Sequence, residues 1–135
     1  MSISSMFRVL GAPLGNVRWS WGSISPNTGA VFLRVWKDDI LKRGDGDIVR
    51  LTNRNRFEGT SSLGYAERVR HIELLRQGAK GYLIFCESES PAALTRKLKS
   101  YVSDKLYPTG ELCEVNSDVY VQFLNGISVD KMLKR

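Results

Sequence analysis

Hydrolysis of a phosphodiester needs paired carboxylates that hold a divalent ion and activate water, usually with a lysine close by. The close acidic pairs in this chain are Asp38 with Asp39 and Asp45 with Asp47. Both flank turns without a suitable lysine arrangement, so they read as turn chemistry and solubility. A serine or cysteine nucleophile needs a histidine base, and the single histidine, His71, falls in mid-helix, where it reads as surface or half-buried. Cys86 and Cys113 sit in apolar, strand-like runs without CxxC spacing, which reads as buried thiols in a reducing compartment and nearly excludes a Cys/His zinc site. Gly44-Asp45-Gly46 lacks the long glycine spacing and the Gly-Lys-Ser/Thr ending of a phosphate loop. Enzyme activity is therefore unsupported, and no catalytic residue, metal or cofactor is expected.

The residues suited to binding are aromatic and basic, in strand alternation. A base that leaves its helix needs a stacking platform, worth ~1–3 kcal/mol per base, and backbone phosphates need Arg or Lys. Trp19 and Trp21, or Trp36, could be the platform, with core packing as the competing role for paired tryptophans on a strand. Arg18, Ser20, Arg34, Arg54, Arg56, Lys97, Lys99 and Tyr101 could form the polar rim. The net charge of +6 favours a polyanion, because each phosphate neutralised releases counterions.

The elements that must position these residues start with a hairpin from Asn16 to Trp36, holding all three tryptophans. In its first arm Val17, Trp19 and Trp21 alternate with Arg18, Ser20 and Gly22. In the second, Val31, Leu33 and Val35 oppose Phe32, Arg34 and Trp36. Ser25-Pro26-Asn27-Thr28-Gly29 is the turn between them. Phe7 to Leu10 reads as a short first strand. Gly44-Asp45-Gly46 joins a third strand, Asp47 to Thr52, to the second in an antiparallel meander, and Asn53 to Ser62 is a charged loop. Leu63 to Gln77 is the one long helix, capped by Ser61 or Ser62 and by Gly78, with Arg68, Arg70 and Glu73 on its polar face. Lys80 to Cys86 is an apolar central strand. A helical turn at Pro91 to Arg96 and a basic strand ending at Val102 follow. Tyr107 to Gly110 is a turn, Glu111 to Val115 and Val119 to Leu124 are strands, and the tail ends in a short helical turn.

At 135 residues, 42% hydrophobic and 25% charged, the chain reads as a single folded domain over residues 1–135. No apolar run approaches the ~20 residues of a membrane span and no signal peptide is visible. The expectation is a cytoplasmic protein with no membrane partner. Its fold class is α+β: a strongly curved, mostly antiparallel sheet or small, partly closed barrel, with one principal helix.

The run VRWSWGSI, followed by VFLRVWKDD, LGYAERVRHIELLRQGAKGYLIFC and RKLKSY, resembles a small bacterial domain found alone or beside HNH nucleases in restriction systems. The order of strands and helix is similar to the PUA-like group, whose EVE and YTH domains hold a flipped, modified base in an aromatic cage. That resemblance implies cage residues among Trp19, Trp21, Trp36 and Tyr101, and any cleavage would come from a nuclease partner protein. The leading expectation is a non-catalytic nucleic-acid recognition domain, for DNA more than RNA, reading a modified base in bacterial or phage defence. The alternatives are a protein-interaction module that inhibits a nucleic-acid-handling enzyme, and a small nucleotide enzyme using His71 or a carboxylate.

Overall fold

Two strands of nearly unbroken apolar character lie side by side in the interior of the sheet. They are β2 (Val31–Trp36) and β5 (Gly81–Ser88), which run parallel with Val31 opposite Gly81 and Trp36 opposite Cys86. A strand apolar on both faces needs cover on both, and each finds it. Val31, Leu33, Val35, Leu83 and Phe85 enter one core, with Val49, Leu51, Ile72 and Val121. Phe32, Ile84 and Cys86 enter the other, with Met6, Phe7, Leu10 and Leu106.

The computed structural model describes residues 2–90 and 96–133. The remaining strands are β1 (Gly22–Ile24), β3 (Ile40–Leu41), β4 (Ile48–Arg50), β6 (Leu98–Tyr101), β7 (Lys105–Val115), β8 (Asp118–Phe123) and β9 (Ile127–Ser128). They form one mixed sheet in the order β1-β2-β5-β7-β8-β4-β3, with β6 also paired to β5 and β9 to β7. The path has two ends, so the sheet does not close into a barrel. It curves far enough for β2 and β4 to supply the same core. The helices among the described residues are α1 (Ile3–Val9), α2 (Arg54–Phe57), α3 (Leu63–Arg76) and α4 (Val129–Leu133). The class is α+β, and none of these helices is long and apolar enough to cross a membrane.

Several local expectations hold. The hairpin turn at Ser25 to Gly29 joins β1 to β2, with Gly29 at φ 76°. Ser62 caps α3 by accepting from the Tyr65 N–H, and Gly78, at φ 99°, ends it as Ala79 N–H bonds back to Leu74 O. Gly44 to Gly46 is in a turn, although it joins the short β3 rather than β2 to β4, and α4 is the expected helical turn of the tail.

Other segments differ, each for a local reason. Phe7 to Leu10 belongs to a helix, not a strand: Ser2 caps α1, and Met6, Phe7 and Leu10 share its buried side. The segment before β1 is not a strand arm. Asn16 Oδ1 accepts the Arg18 N–H, and Asn16 O accepts the Ser20 N–H, which folds 16–20 into a turn. No meander forms, since Lys37–Asp39 make a 3-10 turn, β2 pairs with β5, and β4 pairs with β8 and the short β3. Tyr107 to Gly110 is part of β7, because Pro108 lies opposite Tyr82 and a register shift between Thr109 and Leu112 absorbs the irregularity. The charged loop contains α2. The helical turn expected at Pro91 to Arg96 lies outside the described residues except for Arg96.

Candidate functional site

At the carboxyl ends of β2 and β5 the sheet, α3 and two connecting segments enclose a cavity of about 370 Å³. Its aromatic lining is Trp19 and Trp21 from the segment before β1, Trp36 from the end of β2, and Phe57 from α2. Among the described residues its cations are Arg18, Arg34, Arg50, Arg56, Arg68 and Arg96, and Asp39 is the one carboxylate in the lining. Thr52, Asn53 and the Cys86 thiol complete its polar lining.

The tryptophans are half-buried, and neither Trp19 nor Trp21 joins either core. The side-chain alternation of 19, 20 and 21 survives without a strand: both rings face the cavity while Ser20 points the other way. Ser20 Oγ donates to Glu67 Oε2 at 3.0 Å, and the Trp21 N–H donates to Glu67 Oε1 at 3.1 Å. One buried carboxylate on α3 thus fixes the tryptophan segment. The Trp21 ring stands edge-on to Phe57, centroids 5.0 Å apart, and Phe57 stacks on Tyr65 at 5.7 Å. A methyl group on Gly64 would overlap the Trp21 indole, so α3 can pass this ring only with glycine there.

Arg68, which follows Glu67 on α3, ties the walls to one another. Its guanidinium donates to Leu51 O at 3.2 Å, to Trp21 O at 3.1 Å and to Arg34 O. These carbonyls come from three separate segments, and the same group lies 5.7 Å from the centre of the Trp21 ring. Burial, and then the charge of Arg34, pull the Arg68 pKa down to about 10, which leaves it protonated at neutral pH. Of the expected polar face, Arg70 and Glu73 are exposed, but Arg68 turns to the buried side with Gly64, Glu67, His71 and Ile72. His71 is likewise buried rather than half-buried, and lies outside the cavity lining.

On the opposite wall Arg96 grips Asp39 with two bonds of 3.1 and 3.2 Å and lies 5.7 Å from the centre of the Trp36 ring. α2 is anchored by Asp118, which accepts from the Arg54 N–H at 2.8 Å and from Thr52 Oγ1 at 3.0 Å. Arg56 packs over Phe57 at 5.5 Å. Burial raises the Cys86 thiol pKa, so the thiol stays protonated at neutral pH.

Of the residues singled out from sequence, Arg18, Trp19, Trp21, Arg34, Trp36 and Arg56 converge on this cavity. Ser20 supports it from behind. Arg54, Lys97, Lys99 and Tyr101 do not line it: Arg54 is exposed and paired with Glu58, and the other three belong to β6 and the residue before it. Arg50, Phe57, Arg68 and Arg96 were missed. No family model, curated protein or solved structure matches this chain. A broader groove of about 800 Å³ between the end of α3 and β7 mixes small, aliphatic and charged residues and, among the described residues, has Tyr82 as its single aromatic. Among the described residues no cluster of three or more His, Cys, Asp or Glu is placed to hold a metal ion.

Proposed function

We propose that this chain is a non-catalytic nucleic-acid recognition domain that takes a base into the tryptophan cavity. The observation that carries this reading is the convergence of all three tryptophans with six arginines on one hollow of single-nucleotide scale. Indole faces supply stacking, and the guanidiniums supply the contacts that a phosphate backbone needs. DNA is the favoured polymer and a modified base the favoured target. The resemblance of the RWSWG and VFLRVW segments to domains of restriction systems supports a role in bacterial or phage defence, with cleavage left to a nuclease partner. A curved sheet with one long helix beside the cavity also supports a PUA-like arrangement. A protein-interaction module would instead present its aromatics as an exposed patch, whereas these rings are half-buried around a hollow.

The test is a titration against unmodified, cytosine-methylated and hydroxymethylated duplexes and against RNA. Preference for one modified duplex is expected, with Trp19→Ala losing binding at an almost unchanged melting temperature. Absence of binding to every polymer at low salt overturns the reading.

A further inference from the structure

Charge inside the cavity is out of balance. Six guanidiniums meet one carboxylate, and Arg96 already holds that carboxylate at two points. Cations thus outnumber carboxylates in the described lining, as they do in the whole chain, which carries +6. Arg50 in addition reaches a carboxylate from outside the lining, Asp118 at 4.0 Å.

Arg68 is the extreme case. The residue is 3% exposed, its terminal nitrogens bond only to carbonyl oxygens, and its Nε has no partner among the described residues. Carbonyl dipoles solvate a cation without neutralising it, and the charge of Arg34 opposes that of Arg68, with Glu67 and Asp39 offsetting part of it. A neutral ring stacked on the tryptophans would strip water from these guanidiniums and raise that cost. A ring bearing its own negative charge reverses the sign.

We propose that the cavity takes a planar ring together with an anionic group attached to it: a nucleotide whose own phosphate is drawn inside, rather than a base whose phosphates stay at the rim. The nucleic-acid reading of the same cavity supplies the nucleotide as that ring-and-anion unit. A volume near the lower end of the ~300–1,000 Å³ of small-ligand pockets suits one nucleotide and not a length of strand.

Calorimetric titrations with deoxycytidine, deoxycytidine 5′-monophosphate and inorganic phosphate test this. The monophosphate is expected to bind at least about tenfold more tightly than the nucleoside, as a charge-assisted bidentate contact provides. Arg34→Gln should bring the two affinities together, while Lys42→Gln, which removes one charge outside the cavity, should leave their ratio intact. Arg68→Met should act like Arg34→Gln if its melting transition persists, and Arg34→Gln decides alone if it does not. Equal affinity for nucleoside and monophosphate, or binding of neither, overturns the proposal. If neither binds but a duplex does, the recognition reading stands without it. If the monophosphate binds and no polymer does, the reverse holds. Inorganic phosphate binding as well as the monophosphate would remove the ring from the site and overturn the proposal too.

Discussion

His71 follows Arg68 by one turn on the buried side of α3 and packs against Gly22, the first residue of β1. A side chain on Gly22 would press on Phe32 O and Leu33, so glycine there is what lets the imidazole approach the strand. Burial, and then the charges of Arg68 and Arg70, pull the His71 pKa down to about 4. In the unfolded chain the same imidazole takes up its proton near 6.5. The unfolded state therefore binds more protons between these values, and stability falls as pH drops from about 6.5 through about 4. The loss attributable to His71 approaches about 3 kcal/mol over that window. Denaturant unfolding at pH 7 and pH 4 measures it: His71→Gln should lose less stability on acidification than the parent chain, and equal losses would remove His71 from the account.

At the scale of elements, α3 is the frame of the cavity, since Glu67 and Arg68 reach its separate walls from consecutive positions. Hydrogen bonds to a charged group contribute about 1.5–3 kcal/mol each, and the buried donors left behind add their own cost. Glu67→Ala is expected to destabilise by about 2–3 kcal/mol or more and to raise hydrogen exchange at Trp21. Unchanged protection there would show that the segment holds its shape without the carboxylate. The helix itself was legible in the sequence, because Ser62 and Gly78 are local signals and act within one turn of its ends. Its orientation was so only in part. Positions 64, 67, 68, 71 and 72 have helical spacing, but their side chains include a carboxylate, a guanidinium and an imidazole, so hydrophobicity places Arg70, Glu73 and Ile72 correctly and does not reveal that Arg68 is buried. Trp19, Trp21, Trp36 and their neighbouring arginines were legible because aromatic and basic residues alternate locally. Arg50, Phe57 and Arg96 reach the site only through pairing across the sheet and through side-chain bonds to residues distant in the chain, as with Arg96 and Asp39, and no local period announces that.

At the scale of the molecule, six of the 20 Lys and Arg residues line one hollow, so the response to salt should be set largely by that hollow. Affinity for a duplex is expected to fall linearly with salt on logarithmic axes, by about 0.9 per phosphate neutralised. Arg56→Gln, inside the lining, should reduce that slope by about one unit. Arg54→Gln, two residues away but paired with Glu58 on the surface, should leave it nearly unchanged, and equal effects would show that the cavity is not where the phosphates lie. The placing of the tryptophans has a separate use. All three line one cavity, so the tryptophan fluorescence of the chain, excited at wavelengths where its tyrosines do not absorb, comes from a single place. Its emission maximum and quenching report whether that hollow is wet, filled or taken apart, and the protein carries its own probe of occupancy without a label.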